Sequence, residues 1–220
     1  KEMTFKKFGL RITGQPRNDV LFHIDRNAIL TSIDINPNKK VIIYMPTYRN
    51  ARLGKDAMTK IVEDLYNSQE LSKELDRENA ILIAKLHPLT PHINIDNRPN
   101  FMILDYAKVN GNQELMGACD ELITDYSSCF IDFALLERPI VFYTPDDKRF
   151  LTESEDMDPS FFKLCELNKA TTPKELASLI SKSDNKVAEE TNKIFQDRKI
   201  KGTCYSENVY MELAKVLHLN

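Results

Sequence analysis

The stretch Thr124–Tyr143, TDYSSCFIDFALLERPIVFY, decides the fold, because it reads as a strand end, a polar turn, a helix and a strand in succession. Leu122 and Ile123 lead into the polar corner of Asp125, Tyr126, Ser127 and Ser128. Ile131, Phe133, Ala134, Leu135 and Leu136 then form an apolar pattern dense enough for a buried helix. Pro139 closes that helix and opens the strand Ile140–Tyr143. A serine pair at a helix start sets hydroxyls beside backbone N–H groups that lack partners within the helix, in a dipole field that favours negative charge. Ser127 and Ser128 are therefore candidate phosphate ligands. The alternative is that they only cap their own helix, the commoner role of serine at such corners.

The same alternation extends upstream. Val41–Met45 is a short apolar run ending at Pro46, and Asp56 introduces a segment with Ile61, Val62, Leu65 and Tyr66 at helical spacing. Ala80–Leu86 is a second apolar run, stopping at His87-Pro88, and Phe101–Leu104 a third. A helical NQELMGAC and the strand Glu121–Thr124 follow. Strands that are short, almost wholly apolar and separated by helices imply a parallel sheet covered on both faces, since an exposed face would demand alternation. The expectation is an α/β fold, a Rossmann-like doubly wound parallel sheet. Ile140–Tyr143 is the last expected strand. Beyond Pro145 the helices Pro173–Ser181, Lys186–Phe195 and Ser206–Leu217 are expected to pack back across the sheet.

Ligands of open α/β sheets bind beyond the carboxyl ends of the strands, and the polar clusters fall there: PTYRN (46–50), HPLTPH (87–92), TDYSS and TPDD (144–147). His87 is a candidate donor to a phosphate or leaving-group oxygen, with a partly buried structural histidine as the alternative. Arg49 has the fork that suits a diphosphate, although loop arginines are most often solvated. GTCYSEN (202–208) offers Ser206 at a helix start, which capping alone also explains. His87 and His92 lack a third ligand at metal-binding spacing, so no zinc site is expected. The G-x-S-x-G elbow, G-x-G-x-x-G and the Walker P-loop do not occur, which argues against a serine hydrolase, a nicotinamide enzyme and a P-loop NTPase.

Composition bounds the rest. With 220 residues, one substantial domain is the default. Thirty basic against 33 acidic residues leave a net charge of −3, so there is no general attraction to nucleic acid or anionic lipid, and phosphate chemistry must be local. Four scattered cysteines without a C-x-x-C pair suggest neither a zinc ribbon nor a disulfide framework, and fit a reducing cytoplasm. No run approaches the roughly 18 apolar residues of a membrane span, so the chain is expected to be soluble. The start KEMTFKKFG has no initiating Met and runs straight into patterned sequence, which reads as a segment excised from something longer.

In content and order these clusters resemble the CDP-glycerol glycerophosphotransferase family, the bacterial teichoic-acid and capsule polymerases, from about Ile12 to Val216. The residues that carry the resemblance are Gly14, Pro16, Arg17, Asn18 and Asp19; Pro46 to Arg49; His87 and Pro88; Thr124 to Ser128 with Asp132 and Phe133; and Pro139 to Asp146. The resemblance implies the carboxyl-terminal domain of a glycosyltransferase-B-like architecture, with residues 1–220 binding a CDP-alditol. The family's amino-terminal acceptor half carries a Trp-His-Gly motif. No Trp and no His-Gly pair occur here, so that half is expected to be absent.

The implied reaction is attack of an acceptor hydroxyl on the β-phosphorus of CDP-glycerol or CDP-ribitol, with CMP released, in teichoic acid or capsular polymer synthesis. His87 is the implied catalytic residue. Thr47, Arg49, Thr124, Asp125, Ser127, Ser128 and Ser206 are implied to bind the diphosphate and nucleotide, with Arg17, Asp132 and Asp146 in support. A divalent ion such as Mg²⁺ is left open, because Asp125, Asp146 and Asp147 suit either ligands or ordinary loop carboxylates. The expected partners are the donor and a polymer or lipid-linked acceptor held by the absent half, which would also provide any association with the inner face of the membrane. A nucleotide-sugar glycosyltransferase or epimerase of the same fold, and a non-catalytic nucleotide-binding module, stay open because fold does not fix function.

Overall fold

Runs such as Val41-Ile42-Ile43-Tyr44 become strands because every residue in them is buried, alternately on opposite faces of one sheet. Each such side chain contributes roughly 1.5–3 kcal/mol on leaving water. The computed structural model describes residues 11–49, 56–104, 111–147, 159–182, 184–195 and 204–217. Among these, a 3-10 helix at Pro16–Phe22 and α1 (Arg26–Ser32) lead into β1 (Lys40–Met45), which is followed by α2 (Ala57–Asn67), α3 (Gln69–Arg77), β2 (Ala80–Ala84), β3 (Phe101–Ile103), α4 (Asn112–Ala118) and β4 (Glu121–Thr124). Then come α5 (Cys129–Phe133) with a 3-10 turn at Ala134–Leu136, β5 (Ile140–Tyr143), α6 (Pro159–Cys165), β6 (Lys169–Ala170), α7 (Pro173–Ile180), α8 (Lys186–Phe195) and α9 (Tyr205–Leu217).

The six strands form one sheet of order β3-β2-β1-β4-β5-β6 with every pairing parallel. This is the doubly wound arrangement expected, and its strand order reverses between β1 and β4. One face is covered by α1, α4, α5, α6 and α8 through residues such as Leu30, Leu115, Phe130, Phe133 and Val187. The other is covered by α2, α3 and α7 through Ile61, Leu65, Leu75 and Leu176.

The structure corrects the sequence reading at several points. Strands do not stop beyond Pro145: β6 adds Lys169–Ala170 in parallel to β5. Two residues, one of them a lysine, carry no periodicity to detect. β2 ends at Ala84 rather than Leu86. The helix after Ser128 ends at Glu137, which takes a left-handed φ of 54°, so Pro139 opens β5 without having to end the helix. Of the three C-terminal helices, α7 packs on β5 and β6 and α8 on α5 and β5, whereas α9 packs on the 3-10 helix Pro16–Phe22.

Candidate functional site

The segments after β1 and β4 leave the sheet side by side at the reversal of strand order, because Met45 is in register with Thr124. Thr124 ties them together, its hydroxyl donating to Met45 O at 2.7 Å. Asp125, fully buried, then accepts from the amide of Thr47 at 2.7 Å and from its neighbour Tyr126 at 2.6 Å. The polar corner of one motif thus fixes the backbone of the other.

Arg49 completes this bracket. Its Nη1 lies 2.8 Å from Asp125 Oδ2 and donates to Thr47 O at 2.8 Å, while Nε and Nη2 grip both oxygens of Asp146 at 2.8 and 2.9 Å. Burial opposes the guanidinium charge, but Asp125 and Asp146 outweigh it and hold its pKa above the ordinary arginine value. Burial pushes the Asp125 carboxyl up, with Arg49 and the Thr47 amide acting in the opposite direction. A second network lies beside the first: Tyr126 donates to Asp147, which also accepts from Lys169 Nζ at 2.7 Å, and Lys169 reaches Glu166 at 2.8 Å. Burial first, and Asp147 second, raise the Tyr126 hydroxyl far above its usual range.

The serine pair follows Asp125 and Tyr126 directly along the chain. Ser128 is exposed, occupies the position before α5 and makes no side-chain cap. Ser127 is half-buried, and its Oγ accepts a long 3.4 Å hydrogen bond from Cys129 N. Capping therefore accounts for little of what these hydroxyls offer. His87 follows β2, the strand on the other side of β1, and is exposed. Its Nδ1 accepts from Leu89 N at 3.2 Å, which leaves the proton of a neutral ring on Nε2. Its ring lies against that of Tyr48, with centroids 5.0 Å apart.

The GQPRND segment is used to lock the N-terminal helix in place. Arg17 Nη2 and Asn18 Nδ2 donate to the two oxygens of Asp132 at 2.9 and 2.8 Å. Asp19 accepts from the first amides of α9, those of Tyr205 and Ser206, the latter at 2.9 Å. Burial raises the Asp19 pKa, but these bonds prevail and lower it. Gly14 has φ +79°, and a Cβ there would meet the Tyr205 ring at 2.3 Å, so only glycine fits.

Sequence and structure part company over which residues a ligand can reach. Thr124 and Asp125 have no exposed surface and the Arg49 side chain only 1%, and all three tie the segments after β1 and β4 together. Asp146 pairs with Arg49 through both carboxylate oxygens. Ser206 is exposed, but Asp19 already occupies the helix start to which a phosphate was assigned. Ser127, Ser128 and His87 stay within reach of solvent, whereas the Thr47 hydroxyl is buried. Asn50 and Gly202, named with their motifs, lie outside the described residues. Sequence reasoning missed Tyr48 and Lys85. Lys85 is buried directly beyond β2, where burial lowers its pKa; a lysine closing the apolar run AILIA was the available signal. Among the described residues no group of three or more His, Cys, Asp or Glu is placed to hold a metal ion. Asp125, Asp146 and Asp147 are engaged by Arg49, Tyr126 and Lys169.

The model of the family described as CDP-Glycerol:Poly(glycerophosphate) glycerophosphotransferase matches residues 3–208. The chain is 34% identical over 210 residues to the teichoic acid poly(glycerol phosphate) polymerase of Bacillus spizizenii, covering 92% of this chain and 51% of that protein. It is 27% identical over 153 residues to the teichoic acid ribitol-phosphate polymerase TarL of Staphylococcus aureus, covering 67% of this chain and 27% of that one. Among solved structures, a variant of the wall teichoic acid polymerase TagF soaked with CDPG superposes with a TM-score of 0.72 at 23% identity. That match covers 97% of this chain and 54% of the other, and shows a shared fold. The chain spans about half, or less, of the length of these relatives.

Proposed function

The chain belongs to the CDP-glycerol:poly(glycerophosphate) glycerophosphotransferase family, and on that premise we propose that it forms the donor-binding part of an enzyme transferring an alditol phosphate from a CDP-alditol. The acceptor side would lie in the part of the relatives that this chain does not span. An acceptor hydroxyl attacks the β-phosphorus of CDP-glycerol, the bond from that phosphorus to the bridging oxygen breaks, CMP leaves, and a phosphodiester forms. CDP-ribitol is the related donor, given the likeness to TarL.

The residues take separable roles in this reading. Ser127 and Ser128 donate to the diphosphate as they lead into α5. Thr47 lines the same edge. His87 presents Nε2–H to the leaving-group oxygen, where charge develops as the bridge breaks. The Arg49–Asp125–Asp146 bracket holds the two loops in register, so that binding energy is not lost to ordering them. The acceptor is a polymer or lipid-linked hydroxyl. No described helix is long and apolar enough to cross a membrane; work at the inner membrane face would rest on other parts of the enzyme.

The observation that carries the reading is the side-by-side exit of PTYR and TDYSS at the strand-order reversal, in a chain matched by the family model over 3–208. Calorimetry of this chain with CDP-glycerol, CDP-ribitol and UDP-GlcNAc tests it. A CDP-alditol should bind in preference, without efficient turnover. Preference for the UDP-sugar would overturn the donor assignment, and efficient polymer synthesis would overturn the division of labour.

A further inference from the structure

We propose that Tyr48 is a positioning residue that holds the His87 imidazole in its working orientation, an inference that rests on the reading of His87 given above. The ring centroids are 5.0 Å apart with planes tilted by 41°. Tyr48 sits between two anchored residues. Thr47 is fixed at its amide by Asp125 and at its carbonyl by Arg49, and Arg49 is itself gripped by Asp125 and Asp146. The backbone that carries the tyrosine ring is therefore defined on both sides.

His87 has the opposite character. It is exposed, in a turn where its carbonyl accepts from Thr90 N at 2.8 Å and its Nδ1 from Leu89 N at 3.2 Å. Those bonds select a tautomer. A packed wall beside the ring is what restricts its rotation, and Tyr48 supplies that wall from the neighbouring strand's loop. Orientation thus passes from TDYSS through Asp125 to PTYR, and through the Tyr48 ring to the histidine. A ring free to rotate would spend little time with Nε2–H directed at the leaving oxygen, and misplacements of this kind cost about 10- to 100-fold in rate.

The test has two parts. In the isolated chain, NMR of the His87 ring protons should show shifts set by the adjacent tyrosine. These shifts should persist in Tyr48→Phe and collapse toward those of a mobile exposed histidine in Tyr48→Leu, with His23 and His92 unchanged. Unaltered His87 signals in Tyr48→Leu would overturn the proposal. In the full-length enzyme, Tyr48→Leu should lower kcat by about 10- to 100-fold with the donor KM within about twofold. Tyr48→Phe should restore it, and Tyr48→Leu should add nothing in a His87→Ala background. An equal Tyr48→Leu loss in that background would also overturn positioning. Full activity of His87→Ala alone would remove the role given to His87, while the NMR result would still report on the ring contact.

Discussion

Replacing Arg49 by Met removes a cation from a site where it faces two carboxylates, and the structure sets the size of the consequence. Asp125 has no exposed surface and the Asp146 side chain 17%, so Asp125 bears most of the loss. Breaking a buried pair from one side costs about 3–5 kcal/mol. The amides of Thr47 and Tyr126 still donate to Asp125, which places the expected loss near the lower end, about 3 kcal/mol. At about 2–4 °C per kcal/mol for a chain of this size, Tm should fall by roughly 6–12 °C.

The pH dependence has a defined sign. Burial already raises the Asp125 pKa above its unfolded value, and loss of Arg49 raises it further. A group with a raised folded pKa contributes stability that is present below its unfolded pKa, near 4, and lost as pH rises through the folded pKa. The deficit of Arg49→Met should therefore be smaller at pH 5 than at pH 8. Asp125→Asn in the same chain should restore part of the loss by removing the uncompensated charge. Urea and thermal melts of the two single variants and the double variant at both pH values form the cycle. A loss below about 1 kcal/mol, or strict additivity of the two substitutions, would refute the bracket.

Three further outcomes are expected. Ser128→Ala should leave stability nearly unchanged because it makes no cap, while Ser127→Ala costs at most about 1 kcal/mol. At least one of them should weaken CDP-glycerol or CMP binding by about 1.5–3 kcal/mol in titration, and unchanged affinity in both would remove the serines from the site. His87→Ala in the full-length enzyme should lower turnover by about 100-fold with an unchanged melt, since the residue is exposed; early melting with full specific activity would make it structural. Asp19→Asn should weaken protection of the first α9 amides in hydrogen exchange. Because the Asp19 pKa is lowered by those amides, the wild type should lose the same protection as pH falls from the unfolded carboxylate value of about 4 through the folded one.

What could be read from sequence follows what sequence encodes locally. β1, β2, β4 and β5 were legible because burial on both faces demands continuous apolar runs, as in AILIA and IVFY. α3 was not, because QELSKELDR buries only Leu71 and Leu75, and β6 is too short for any pattern. That the candidate site's motifs share one sheet edge was legible, since each follows the end of a strand. Its interior was not, because the burial of Arg49 depends on Asp146, 97 residues away, and the environment of Asp125 on Thr47, 78 residues away. Tyr48 was passed over for a related reason, since its partner His87 comes from another loop.

The attachment of the N-terminal 3-10 helix also sets an order of events during synthesis. Its first polar anchor, Asp132, lies 115 residues downstream of Arg17, and its second contact, from Asp19 to Tyr205, spans 186 residues. At about 5–20 residues per second, translation separates Asp19 from its helix by roughly 10–40 s. The sheet can be complete through β6 before α9 emerges. The nascent chain can therefore carry a formed sheet edge while Pro16–Phe22 is held by Asp132 and by its packing on α4, before α9 emerges to meet Asp19.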